Sequence, residues 1–106
     1  MRAISIAVIL MAMSATAVLA ADVKAGKADF DRACQGCHGP DGAGNPAVAK
    51  MFKVTMRDLK SPEVQAMSDD DIKKIIMNGK GKMKPVTTVT GAALDNVVAY
   101  VRSLKK

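Results

Sequence analysis

The amino-acid sequence predicts an all-α domain of about four short helices. Three observations carry that expectation. Apolar residues recur at helical spacing, with no lasting alternation of period two; Gly and Pro cluster between those runs; and capping residues stand at their starts. No internal repeat is present, and 106 residues suit a single domain.

The first 20 residues read as a secretory signal peptide and lie outside that domain. Met1-Arg2 supplies a positive start, Ala3 to Val18 carries no charge, and Val18-Leu19-Ala20 offers small or aliphatic residues to a signal peptidase. Cleavage is expected after Ala20, with Ala21 as the alternative. A retained anchor is the competing reading, but the uncharged stretch falls short of the roughly 20 apolar residues that span a bilayer. The mature domain is then residues 21–106. Losing Arg2 leaves 15 of the 16 basic residues against 10 acidic ones, a formal charge of +5. No second long apolar run follows, so the mature protein is expected to be soluble, with no stable membrane insertion.

Within that domain the first helix is expected over about Lys24 to Ala33, with Asp22 at its cap. Residues 39–46, Gly-Pro-Asp-Gly-Ala-Gly-Asn-Pro, are dense in turn formers and read as a loop. A short helix follows Ser61, whose hydroxyl can cap it while Pro62 takes the first helical position. The third helix is the best marked. Ser68-Asp69-Asp70-Asp71 starts it with a capping box and acidic charge at the positive end of the dipole. Ile72, Ile75 and Ile76 form its apolar stripe, Lys73 and Lys74 its wet side, and Gly79 its end. The last helix is expected from near Thr90 to about Leu104, with Leu94, Val97, Val98, Val101 and Leu104 facing inward.

Aromatic content is thin: Phe30, Phe52 and Tyr100, with no Trp. So small a domain buries a modest core and commonly needs a disulfide, a metal or a cofactor to hold it. Both cysteines and the one histidine lie in Cys34-Gln35-Gly36-Cys37-His38. This is the C-x-x-C-H haem-attachment pattern. Two thiols three residues apart can each form a thioether to one of the two porphyrin vinyl groups, and the next side chain offers an imidazole to the iron. Three rivals are weaker. A thiol–disulfide oxidoreductase needs a βαβ context that is lacking here. A Cys34–Cys37 disulfide would close too small a loop to stabilise much. A zinc site needs four ligands, and Cys and His together number three. Cys34 and Cys37 are therefore read as covalent haem attachments, and His38 as an iron ligand.

These residues resemble the class I cytochromes c, and the resemblance covers essentially the whole mature chain. Gly26 and Phe30 stand before Cys34 as the family's first-helix glycine and aromatic do, and Tyr100 stands where the last helix packs against them. Gly at position 26 also permits a close helix crossing on its own physical grounds. The run from Cys37 to Gly44 looks like the loop after the motif in small bacterial members. The resemblance implies a cytochrome c fold wrapped around one covalent haem c. It also implies a carbonyl in this loop, with Pro46 the candidate, that accepts from the second nitrogen of His38. A methionine distal ligand is implied as well. The mature chain offers Met51, Met56, Met67, Met77 and Met83. Met83 is preferred, because it lies in the glycine-rich loop Gly79-Lys80-Gly81-Lys82-Met83-Lys84-Pro85 between two helices, as the family's ligand does. Met77 and Met56 are the alternatives. The chain departs from the family's usual Met-Pro by the inserted Lys84.

A His/Met pair raises haem potential and serves electron transfer. No second histidine exists to act as a distal acid or base, so an enzymatic role is not expected. The leading expectation is a periplasmic electron carrier, monomeric, with one haem. A gas-binding or sensing haem domain with a weak distal Met is the alternative. Lys80, Lys82 and Lys84 flank the preferred ligand, with Lys50 and Lys53 expected nearby, and they suit acidic redox partners. Nothing pairs the positive charge with aromatics or a recognition helix, so nucleic acid is not an expected partner. Intact-mass spectrometry after acid–acetone extraction is expected to show a protein lighter than the 106-residue chain and heavier than its mature peptide by one haem. Haem that leaves with the solvent would remove the attachment reading.

Overall fold

The computed structural model describes residues 21–105, so the signal-peptide expectation for residues 1–20 lies outside the described residues. Among them run six helical segments: α1 (Val23–Ala33), α2 (Gln35–His38), α3 (Pro46–Phe52), α4 (Pro62–Gln65), α5 (Asp69–Asn78) and α6 (Ala92–Ser103). The only β pairing among the described residues is an isolated bridge between Lys80 and Met83. The all-α expectation holds. Two short helices add to the expected four: α2 on the attachment motif and α3 after it.

Local chemistry accounts for the boundaries. Asp22 accepts from the Lys24 and Ala25 N–H groups at 2.9 and 3.1 Å and starts α1. Ser61 accepts from Val64 N–H at 3.4 Å, with Pro62 opening α4. Ser68 accepts from Asp71 N–H at 3.1 Å and starts α5. The last helix begins later than expected, at Ala92. Gly91 precedes it at φ 56, a left-handed conformation that an α-helix does not contain, so Thr90 is left outside.

The first and last helices form the principal packing of the molecule. They meet at Gly26, where an added Cβ would lie 1.9 Å from the Asn96 carbonyl oxygen. Only a residue without a side chain allows that approach. Asn96 Oδ1 also accepts from Asp22 N–H at 2.8 Å, which pins the start of α1 to the same place. One turn further, the Phe30 and Tyr100 rings pack tilted with centroids 5.0 Å apart. Such pairs contribute about 0.5–1.5 kcal/mol beyond their burial.

The other face of α6 joins α5. Ile72, Ile76, Val89, Leu94, Val97 and Val98 form a buried cluster, with Ala33, Met67, Met83, Val86 and Ala93 packed against it. Lys73 was expected on the wet side of α5; instead it is half-buried and forms an ion pair with Asp95 on α6. Arg102 ties the end of α6 to the turn between α4 and α5. Its guanidinium donates to Asp69 Oδ1 at 2.9 Å and the Gln65 carbonyl at 2.8 Å, and to the Met67 carbonyl.

Gly26→Ala is expected to destabilise the haem-loaded protein by about 3 kcal/mol, at the upper end of overpacking costs. Gly36→Ala, where an added Cβ meets nothing within 4 Å, is expected to be neutral or slightly stabilising. Thermal unfolding of both variants checks the pair, and equal effects would contradict the close crossing.

Candidate functional site

The attachment motif begins where α1 ends. Cys34 N–H donates to the Phe30 carbonyl at 2.8 Å, closing α1, and the same residue caps α2. A single helical turn has little stability of its own, and its carbonyls need donors from elsewhere. The following loop provides them for all four residues of α2. Gly39 N–H donates to Gln35 O at 2.8 Å, Asn45 Nδ2 to Gly36 O at 3.1 Å, Asn45 N–H to Cys37 O at 2.9 Å, and Gly44 N–H to His38 O at 2.7 Å. The loop can fold back this tightly because Gly39 and Gly44 take φ values of 78° and 101°.

That loop leads into α3. Asn45 Oδ1 accepts from Ala47 N–H at 3.0 Å and Val48 N–H at 3.4 Å, and Pro46 takes the first helical position. Asn45 was not among the residues singled out from the sequence. The signal was present: Asn45-Pro46 repeats the cap-then-proline pattern of Ser61-Pro62, but the surrounding glycines masked it.

The three motif side chains are chemically free. Cys34 and Cys37 are unpaired, Cys34 half-buried and Cys37 exposed. Burial pushes the Cys34 thiol up to about 11, so it is a protonated thiol at neutral pH. A catalytic oxidoreductase cysteine requires the opposite shift. Burial lowers the His38 imidazole from its usual value, leaving it neutral at pH 7, the form that binds a metal. The His38 ring lies beside Phe30, with centroids 6.5 Å apart.

One expectation is corrected. The Pro46 carbonyl does not receive the second nitrogen of His38, whose Nδ1 is buried without a hydrogen-bond partner. Pro46 opens α3.

The methionines divide clearly. Met83 and Met67 are partly buried against the α5–α6 cluster. Met56 is half-buried beside Gly44, Met51 is 68% exposed, and Met77 is 44% exposed. Met83 sits on a tight turn. Lys80 N–H donates to Met83 O at 3.0 Å, Met83 N–H returns to Lys80 O at 2.9 Å, and Gly81 takes φ 57 between them. Behind the turn, Val86 N–H donates to Ile76 O at 2.8 Å. Lys80, Lys82 and Lys84 are all exposed, as are Lys50 and Lys53.

Two free thiols and a neutral imidazole, none committed to another partner, stand on one turn at the end of a helix that crosses the last helix at a glycine. Residues so placed fit a covalent haem, and the class defined is the small c-type cytochrome. The chain belongs to the family whose model is described as cytochrome c oxidase, cbb3-type, subunit III, which matches residues 21–101. Among solved structures it is similar to the KustC0563 c-type cytochrome, with 27% sequence identity and a TM-score of 0.64. That match covers 76% of this chain and 98% of the other. No curated protein matches the chain. A domain of this family carries covalently bound haem c with its iron and transfers electrons to and from redox partner proteins.

Gly79 closes the Met83 segment. It has φ 75, and an added Cβ would lie 2.4 Å from Met83 O and 2.9 Å from Pro85 N. Gly81 has a positive φ but open space around it. Gly81→Ala is therefore expected to cost about 1–2 kcal/mol, the backbone penalty alone. Gly79→Ala should cost more, with a disturbed axial spectrum. Thermal melts with visible spectra rank the two, and the reverse order would contradict the turn geometry.

Proposed function

We propose that this protein is an exported, soluble, monomeric electron carrier of the periplasm. In this reading Cys34 and Cys37 hold the haem through thioethers, and His38 and Met83 are the axial ligands of its iron. The reading is supported above all by the half-buried Met83, held on a hydrogen-bonded turn against the cluster that Ala33, next to Cys34, also touches. When bound, haem c supplies the one-electron couple of its iron. The residues do the rest. His38 presents a neutral nitrogen, Met83 a thioether that favours the reduced state, and the α5–α6 cluster an apolar wall that excludes water.

With His38 assigned to iron, no other histidine remains for acid–base work, which supports a carrier over an enzyme. No helix among the described residues is long and apolar enough to cross a membrane. Among the described residues Lys80, Lys82 and Lys84 form no ion pair, so their charge is free to steer an acidic partner.

Met83→Ala is expected to open a coordination position, so that the reduced variant binds carbon monoxide and its potential falls. Met77→Ala, at an exposed site, should leave the spectrum unchanged and stability within about 0.5 kcal/mol. Met56→Ala and Met67→Ala should also stay inert to carbon monoxide. If Met67→Ala opens the haem and Met83→Ala does not, the ligand is Met67. If the unmodified reduced protein binds carbon monoxide, the carrier reading gives way to a gas-binding domain. Replacing Lys80, Lys82 and Lys84 together by Gln should leave the spectrum intact while slowing electron transfer to an acidic partner. The ionic-strength dependence should flatten too, since exposed charges are screened beyond about 10 Å at 0.1 M salt.

A further inference from the structure

We infer that the end of α5 and the Met83 turn form a docking face with an apolar centre, Met77 and Pro85. The occupant it fits is a redox protein that presents apolar side chains flanked by carboxylates. This inference deepens the carrier reading and rests on it: lysine charge steers the partner in, and Met77 is the contact that retains it. Two backbone features bring the centre together. Val86 N–H donates to Ile76 O at 2.8 Å, which joins the peptide between Ile76 and Met77 to the one between Pro85 and Val86. Gly79 lies against the same proline, since an added Cβ there would lie 3.0 Å from Pro85 Cδ. Met77 is 44% exposed, and Pro85 is exposed too.

The charge around that centre has one sign. No Asp or Glu stands between Asp71 and Asp95, while five lysines do. Lys73 is spent on Asp95. Lys74, one turn before Met77, and Lys80, Lys82 and Lys84 are exposed, and among the described residues they form no ion pair. An exposed methionine among unpaired lysines has the composition of an interface. Met is enriched at protein interfaces, whereas Lys is depleted and keeps to the wet rim. The two residue types act on different steps. Exposed charges mainly set the rate of encounter, and apolar contact formed afterwards mainly sets the rate of release. A second exposed apolar run, Met51, Phe52 and Val54, lies at the end of α3 and provides the control.

The test uses the haem-loaded, reduced protein and a synthetic helical peptide with phenylalanines at its centre flanked by glutamates. A second peptide carries serines in place of the phenylalanines. Peptide binding involves no electron transfer, so it is read independently of the carbon monoxide test of the carrier reading. Amide NMR shifts are expected to map to the end of α5 and the Met83 turn, and the parent should prefer the phenylalanine peptide. Met77→Gln should weaken that binding about three- to tenfold through faster release, with the ionic-strength dependence unchanged, and Met77→Leu should restore it. Replacing Lys80, Lys82 and Lys84 together by Gln should instead slow association and flatten that dependence. Equal affinity of Met77→Gln and the parent for the phenylalanine peptide would overturn the proposal, as would equal binding of the two peptides by the parent. So would shifts that map to Met51, Phe52 and Val54, with Met51→Gln as the weakened variant.

Discussion

The approach of α1 to α6 at Gly26 is the contact on which the rest of the molecule depends. A side chain at that position would collide with the backbone of Asn96, so the two helices touch through main chain. Once they do, Phe30 meets Tyr100, and Phe30 in turn stands beside His38. The attachment turn begins at the residue that ends α1. Moving the crossing would therefore move the histidine. The packing that stabilises the ends of the chain also aims the chemistry.

From there the backbone settles the proximal side. A four-residue helix survives because the returning loop supplies donors to its carbonyls. Asp41 and Lys60 hold the outside of the loop at 3.2 Å, and Leu59 N–H reaches Gly42 O at 2.9 Å. The loop is rich in Gly because three of its positions, 39, 42 and 44, take positive φ. Its apparent irregularity is a hydrogen-bonded cap.

The opposite side is built on different principles. The thioether of Met83 leaves a short turn whose glycines tolerate conformations closed to other residues, and it enters an aliphatic cluster formed by α5 and α6. Three lysines on and beside that turn remain in water. Charge and the proposed ligand thus share one segment, so a partner attracted by the lysines would arrive next to the residue proposed to sit on the iron. For a domain this small, a covalent cofactor would complete the core as well as perform the chemistry.

Much of this was legible in the sequence because the determinants are local. Cys34, Cys37 and His38 are adjacent, so their joint role needs no knowledge of the fold. Asp22, Ser61 and Ser68 cap the helices they precede, and capping reaches only three residues. Resemblance to a known family extended that reading to the fold and to Met83. Other features depend on partners distant in the chain. Asn45 Nδ2 reaches Gly36 O across the loop, and Lys73 is half-buried where α6 brings Asp95 to it. Likewise, helical spacing alone could not tell that Met77 faces water while Met67 and Met83 turn inward. The sequence by itself marked the motif proposed to carry the chemistry and determined where most helices begin, because those signals act over one turn. Tertiary structure alone decided which polar atoms find partners and which methionines are covered, because both depend on how close two separate helices can come.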